Sequence, residues 1–106
     1  MYARMLKMNL KPAHLSDWNV AFDKQILPAL RKEKGFQDQF TLVGPNGVEI
    51  VSISLWDSKD SAEAYNAATY PELLKALSNM LDGSPQLKTY EVGSSTFHKL
   101  PVHATV

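Results

Sequence analysis

The pattern of apolar and polar positions changes from alternating to helical between residues 47 and 70, without an intervening loop. Residues 48–56 are rich in β-branched and aliphatic side chains, which favours a strand. One face of this strand is purely apolar and consists of Val51, Ile53 and Leu55. The other face has apolar ends and a small polar centre, and consists of Ile50, Ser52, Ser54 and Trp56. Because serines leave space and hydrogen-bonding capacity, this second face suits the wall of a cavity.

The same reading predicts three further strands and two helical regions. Alternation predicts strands at residues 2–10, 36–43 and roughly 86–98. In the second of these strands we expect Phe36 and Phe40 to share a face. A Gly44-Pro45-Asn46-Gly47 sequence then predicts a turn, so that the strand at residues 36–43 and the strand at residues 48–56 form a hairpin.

Helical spacing begins at about residue 14 and is expected to stop at Gly35. Its apolar stripe consists of Leu15, Trp18, Phe22, Ile26 and Ala29. Pro28 lies inside the stripe and should kink the helix or divide it into two segments. After the third strand, Asp57 or Ser58 is positioned to cap another helix, and a short one begins near Thr69.

The order strand, helix, strand, strand, helix, strand predicts an α+β fold. It is the ferredoxin-like split βαβ sandwich, a four-stranded antiparallel sheet with helices on one face. Right-handed crossovers place the first and third strands in the centre. Residues 1–98 are expected to form one domain, and residues 99–106 a C-terminal tail. We expect apolar residues on the open face (Met5, Ile50 and Trp56) and therefore a homodimer that packs sheet against sheet.

The composition excludes several classes of partner. Eleven basic and eleven acidic residues cancel, and no basic cluster is present, so nucleic acid and anionic membranes are not expected partners. The absence of cysteine excludes disulfides and thiolate metal sites. No apolar run has the length of a membrane span and no signal segment is recognisable, so we expect a cytoplasmic protein.

The run GFQDQFTLVGPNGVEIVSISLWDSKDSAEAYNAATYPELLKAL resembles the antibiotic biosynthesis monooxygenase domain, within the dimeric α/β barrel superfamily. The matching features are a Gly-Phe start to the second strand, Trp56 at the end of the third strand, an acidic-serine cap and an aromatic residue nine positions later, Tyr65. The resemblance extends from about residue 3 to residue 97.

The resemblance implies a cofactor-independent monooxygenase-like protein that acts on a small aromatic or quinol-type substrate, in a pocket between the sheet and the helices or the partner subunit. Such oxygenases use no metal, flavin or haem, and they need a path for a proton and donors for an oxyanion. Haem-degrading members of the group use a strand-one Asn, a helix Trp and a His. The matching positions here are Asn9, Tyr65 and Lys75, which disfavours haem degradation.

The residues expected to line the substrate pocket are Asn9, Ser52, Ser54, Trp56 and Tyr65. The catalytic residues are not determined by the sequence, and the candidates are Asn9, Tyr65 and His98, the last as a general base. Three of these pocket residues have a structural alternative, namely turn chemistry for Asn9, core packing for Tyr65 and packing of the strand–helix junction for Trp56.

The histidines and the charged residues of the first strand are candidates for two other kinds of site. The three histidines are scattered, so no metal site is expected. Arg4 and Lys7 would bind an anionic substrate if they pointed inward, although exposure is the default for charged residues on a strand.

A second function class stays open because no convincing base belongs to the pocket. It is a non-catalytic dimeric module that binds a small hydrophobic or aromatic molecule, or stabilises an assembly.

Overall fold

The computed structural model describes residues 1–96 and residue 98. In this part of the chain the strands are β1 (Tyr2–Asn9), β2 (Phe36–Val43), β3 (Glu49–Trp56) and β4 (Gln86–Glu91). The α-helices are α1 (Leu15–Ala21), α2 (Leu27–Arg31), α3 (Lys59–Ala68) and α4 (Tyr70–Leu77). A π-helical segment, Phe22–Ile26, joins α1 to α2, and a 3-10 turn, Ser78–Met80, follows α4. The predicted α+β ferredoxin-like fold is confirmed. No helix of the described residues is long and apolar enough to cross a membrane.

The sheet is antiparallel throughout, with the strand order β2-β3-β1-β4. The first and third strands are therefore central, as right-handed crossovers predict. The predicted β2–β3 hairpin is also present, and its turn contains Gly47 with φ 71°. A positive φ is easily adopted by glycine because it has no Cβ atom.

The register decides which side chains share a face of the sheet. Leu6 of β1 lies opposite Ser52 of β3, so the even-numbered residues of both strands point the same way. This face is covered by the helices. Ile50 and Trp56 belong to it and are completely buried, so their expected place on the open face is wrong.

The opposite face of the sheet, the open face, has no helix on it. Its apolar members come from all four strands and are Met5, Phe40, Leu42, Val51, Ile53, Leu55 and Tyr90. Leu42 is 53% exposed and Tyr90 is 48% exposed. The centre of the open face is therefore apolar, as predicted. Of the three residues predicted for it, Met5 is present, whereas Ile50 and Trp56 lie on the covered face.

A bulge in β2 separates two phenylalanines that alternation placed together. The register shifts between Phe36 and Asp38, so Phe36 faces the helices while Phe40 belongs to the open face. The rings of Phe36 and Trp56 pack edge to face, with the ring centroids 5.6 Å apart. Alternation assumes an uninterrupted ladder, and one extra residue inverts every side chain beyond it.

Pro28 does not divide the first helical region, which stays helical from residue 15 to residue 31 and has a π-helical segment directly before the turn that contains the proline. The N–H of Leu27 donates to the carbonyl of Phe22, five residues earlier. Proline lacks the N–H that an α-helix would need at the next position, so widening the preceding turn limits the disruption. The extra residue in the turn shifts the helical phase by one position. Leu30 is therefore buried in place of the predicted Ala29.

The last strand is shorter than predicted. β4 ends at Glu91, because its partner strand begins at Tyr2, which lies opposite Glu91. The N–H of Val92 still donates to the carbonyl of Met1, at 2.9 Å. The predicted tail at 99–106 lies outside the described residues, and the division of the chain at residue 98 stays a prediction.

Candidate functional site

A narrow cavity of about 40 Å³ lies between the sheet and the helices. Such a space holds roughly three water molecules. Two strands and every α-helical region contribute to its wall, which is lined by Arg4, Leu6, Met8, Trp18, Phe22, Ile26, Leu30, Ser52, Ser54, Tyr65, Tyr70, Leu73, Leu74 and Leu77. The wall is therefore apolar except at one end, where an arginine, two tyrosines and two serines meet.

Arg4 is the charged group of this wall. It projects from β1 on the helix-covered face and is only 5% exposed. Its Nη2 donates to Asn66 Oδ1 at 2.8 Å, and its guanidinium lies over the Tyr70 ring at 4.3 Å and near the Tyr65 ring at 5.0 Å. Faces of aromatic rings attract cations, so α3 and α4 hold the guanidinium in place. The default expectation of an exposed Arg4 is therefore wrong.

Arg4 has no carboxylate partner among the residues that the structure describes. Every ion pair in this part of the chain involves other cations. Glu63, on α3, lines a groove next to Arg4, but it is exposed and lies 3.8 Å from Lys59. A buried charge without a counter-ion costs free energy, and that cost falls when an anion binds beside it.

The two tyrosines beside Arg4 stay protonated at neutral pH. Burial raises the pKa of Tyr65 to about 12, although the guanidinium of Arg4 acts in the opposite direction. Burial also raises the pKa of Tyr70, and Arg4 again opposes the shift. The pKa of Arg4 is lowered by its own burial, yet an arginine remains charged at neutral pH. The hydroxyl of Tyr65 is therefore suited to donate a hydrogen bond and poorly suited to act as a base.

Two buried N–H groups of cavity-lining residues have no hydrogen-bond acceptor. They are Nε of Arg4 and Nε1 of Trp18. Buried donors are nearly always paired with a protein group, a water molecule or a ligand. Both donors therefore indicate that an acceptor atom belongs in or near this cavity.

The two serines occupy different positions in the wall. Ser54 Oγ accepts a 2.9 Å hydrogen bond from Trp56 Nε1 and is buried. Ser52 Oγ accepts from Gln39 Nε2 at 3.0 Å. Trp56 does not line the cavity itself. It lies behind Ser54 and packs on Tyr65, with the ring centroids 5.0 Å apart.

Two of the predicted site residues lie elsewhere. Asn9 is exposed and lies opposite Glu49, on the face that carries Met5 and Lys7, so its predicted place beside Ser52 and Ser54 is wrong. The reason is its odd number in β1, since the cavity side takes the even residues. His98 does not line the cavity, and its Nε2 lies 2.6 Å from Asp38 Oδ2 of β2.

Trp18, Tyr70 and Arg4 were not among the residues predicted to line the pocket, although an inward Arg4 was an alternative to the expected exposure. A signal for Arg4 was present, because it alternates in phase with Leu6 and Met8, which are buried. For the other two residues the signal is weaker, since both are placed by the packing of separate helices onto the sheet. No group of three or more metal-binding side chains occurs among residues 1–96 and 98.

The fold and the cavity together define the class of this protein as a ferredoxin-like α+β domain with a partly polar cavity between its sheet and its helices. No family model matches the sequence. No curated protein matches it.

Solved structures match over nearly the whole chain. A monooxygenase from the gene ActVA-Orf6 of Streptomyces coelicolor, in complex with the ligand nanaomycin D, has a TM-score of 0.77 at 17% identity, covering 92% of this chain and 92% of that one. SnoaB, a cofactor-independent oxygenase from Streptomyces nogalater, has a TM-score of 0.75 at 12% identity, covering 92% and 97%. A structure from Nitrosomonas europaea, provisionally named an antibiotic biosynthesis monooxygenase, has a TM-score of 0.73 at 14% identity, covering 89% and 100%.

These similarities confirm, at the level of the fold, the resemblance to antibiotic biosynthesis monooxygenase domains. Further structures with that provisional name come from Deinococcus radiodurans and Bordetella bronchiseptica. Identities of this size establish the fold and do not transfer an activity, because one fold supports many functions.

Proposed function

We propose that this protein is a monooxygenase-like enzyme that needs no cofactor and acts on a small aromatic or quinol-type substrate in the cavity between its sheet and helices. The observation that carries the proposal is the buried guanidinium of Arg4, which lies in an apolar wall without a carboxylate partner. Similarity to SnoaB, which is named a cofactor-independent oxygenase, supports the same reaction type.

The chemistry requires the protein to stabilise a substrate anion that reduces oxygen directly. For an anthrone, the CH₂ carbon becomes a carbonyl in the overall reaction. One oxygen atom of O₂ enters the substrate, and the other leaves as water with the two hydrogens. The substrate supplies all four electrons, so an external reductant is unnecessary. Arg4 would stabilise the substrate oxyanion electrostatically, and the Tyr65 hydroxyl would donate a hydrogen bond to it.

A substrate with a ring system requires the cavity to widen. Typical ligand pockets measure about 300–1,000 Å³, which is roughly 7 to 25 times the volume of this cavity. The side chains of Leu73 and Leu74 on α4 are only half buried, so the α4 side of the wall is where widening displaces the least packing. We expect a bound ring to lie between α4 and the π-helical segment.

The proposed active form is a homodimer in which two open faces pack against each other. The supporting observation is the exposure of large apolar side chains there, including Phe40, Leu42 and Tyr90. Apolar patches of this kind on a protein surface usually mark an interaction site. A two-fold axis through the open face would cover the same patch on both subunits.

Oxygen consumption tests the proposed activity. The purified protein is mixed with anthrones and naphthohydroquinones, and oxygen uptake above the uncatalysed rate is measured. The substitution Arg4→Gln is expected to lower the catalysed rate roughly 100-fold, as loss of an oxyanion-stabilising group typically does. Arg31→Gln is the matched control, because Arg31 is exposed on α2 and should not affect the rate. Uptake that is equal for Arg4→Gln and the unchanged protein contradicts the proposed role.

A non-catalytic ligand-binding module is the second candidate. It is favoured by the composition of the described cavity wall, which contains no histidine, aspartate or glutamate to take a proton. Tight binding of a panel compound without any oxygen uptake would select this function over the oxygenase.

A further inference from the structure

We infer that the cavity selects an organic anion that is already ionised in water, an acidic phenol or enol, and discriminates against the neutral form of the same compound. This inference deepens the proposed function, because it relies on the cavity being the substrate site. It concerns which substrates the site accepts, and it makes no use of the oxygen reaction.

The charge balance of the site is the first argument. The groups that face Arg4 from the elements around it are Tyr65 and Asn66 of α3, Tyr70 of α4 and Thr89 of β4. None of these side chains carries a negative charge at neutral pH. Glu63 and Tyr2 line only the groove beside Arg4, and Glu63 is exposed next to Lys59. The described cavity wall therefore carries the positive charge of Arg4, which an anionic ligand would balance, while the carboxylate of Glu33 acts on Tyr65 from a separate groove.

The second argument concerns the hydrogen-bond donors and acceptors of the cavity wall. Arg4 Nε and Trp18 Nε1 are donors without acceptors, and the Tyr65 hydroxyl is a further neutral donor. A phenolate or enolate oxygen only accepts hydrogen bonds, so it complements this set. A protonated hydroxyl brings a donor of its own, for which the wall offers the oxygens of Ser52 and Ser54, and each of them already uses one of its two lone pairs to accept a hydrogen bond.

The lack of a base is the third argument. No histidine or carboxylate lines the described wall. Glu33 acts on Tyr65 electrostatically and lies with it in a separate surface groove, outside the wall. A neutral substrate would have to lose its proton without a general base beside it, which makes deprotonation slow. A substrate that enters as an anion avoids this step.

The remaining wall indicates that the anion is organic. Leu6, Phe22, Ile26 and Leu77 cover the space beyond Arg4 and offer no polar atom to a ligand. A small inorganic anion would satisfy the guanidinium but leave this apolar part of the cavity unused. An aromatic anion would contact both the guanidinium of Arg4 and the apolar part of the wall.

The test uses para-nitrophenol, a one-ring compound whose anion absorbs visible light while its neutral form does not. Its absorbance is titrated with pH in the presence of excess protein, without any reducing substrate. Preference for the anion lowers the pH of the midpoint. A charge-assisted hydrogen bond makes a preference of roughly tenfold or more reasonable, which corresponds to a shift of about one pH unit. The methyl ether para-nitroanisole, which cannot ionise, is expected to bind at least about tenfold more weakly than the anion.

Substitutions test whether Arg4 causes the shift of the titration midpoint. Arg4→Gln is expected to abolish the midpoint shift, Arg4→Lys to retain part of it, and Arg31→Gln to leave it unchanged. If Arg4→Gln does not fold, the titration with the unchanged protein still decides the question. Sulfate is added as a competitor and is expected to displace the ligand only weakly.

An unshifted midpoint, or equal affinity for the ether and the anion, overturns the inference. So does sulfate that competes as well as the aromatic anion, because that identifies a simple anion site. The proposed function fails separately: a shifted midpoint without oxygen uptake from any substrate keeps the inference and removes the oxygenase. Conversely, oxygen uptake with an unshifted midpoint keeps the oxygenase and removes the inference.

Discussion

The two faces of the sheet differ in the kind of side chain that each leaves without a partner. The helix-covered face is largely buried, yet it contains the charged Arg4 and the hydroxyls of Ser52 and Ser54. The open face has no helix on it, yet its centre contains Met5, Ile53 and other apolar residues. Each face thus contains side chains that lack a suitable partner within the subunit, a charged group on the covered face and apolar groups on the open face. A buried charge indicates a ligand, and an exposed apolar surface indicates a protein partner.

The largest expected difference between the faces concerns aromatic packing. Trp56→Ala on the covered face should lower the free energy of unfolding by about 3–5 kcal/mol, since the side chain is completely buried. Tyr90→Ala on the open face should lower it by less than about 1 kcal/mol, because Tyr90 is 48% exposed. Urea unfolding at low protein concentration measures both. Equal losses would show that the open face is packed as tightly as the covered one.

The second difference is a pH dependence that belongs to the covered face. The pKa of Tyr65 rises from 10.0 in a model compound to about 12 in the folded chain. Between these values the unfolded chain loses its proton while the folded chain keeps it. The stabilisation is therefore complete below about pH 10 and is lost as the pH rises toward 12, by about 2–3 kcal/mol. Tyr70 acts in the same direction.

Urea unfolding at several alkaline pH values checks this dependence. Tyr65→Phe should flatten the decline, while Tyr90→Phe, an exposed control on the open face, should leave it unchanged. A decline that is identical in Tyr65→Phe and the unchanged protein would assign the effect to other groups.

A smaller effect distinguishes the two serines of the covered face. Ser54→Ala removes the acceptor of the buried Trp56 Nε1 and should cost about 1–2 kcal/mol of unfolding free energy. Ser52→Ala should cost less than about 0.5 kcal/mol, because Gln39 Nε2 keeps a second acceptor, Thr41 Oγ1, at 3.0 Å. Thermal or urea unfolding compares the pair. A larger loss for Ser52→Ala would reverse their assigned roles.

The smallest effect on the stability of the subunit is expected on the open face. Leu42→Glu should change the free energy of unfolding by less than about 0.5 kcal/mol, yet weaken the proposed dimer roughly tenfold or more. Val20→Glu is a matched control, because Val20 is 52% exposed and Leu42 is 53% exposed. Analytical ultracentrifugation measures the association. A dimer that tolerates Leu42→Glu, or a protein that is monomeric at all concentrations, contradicts packing through the open face.

Part of this comparison was accessible from the sequence. The serine-containing face of β3 was recognisable because Ser52 and Ser54 interrupt an apolar strand at the same phase. Arg4 was accessible in principle, since it shares its phase with Leu6 and Met8. Asn9 was misplaced because its expected neighbours required the register between β1 and β3, which depends on contacts distant in the sequence.

Local chemistry by itself determined the elements and their order. Alternation, proline and glycine positions, and capping residues such as Ser58 specify strands, turns and helix starts through interactions within a few residues. Tertiary structure decided which face each side chain occupies. A bulge after Phe36 and a π-helical turn before Pro28 each add one residue to a regular pattern, and one residue is enough to move a side chain from one face to another. The unpaired charge of Arg4 exists only because β1, α3 and α4 meet around it, which no local pattern encodes.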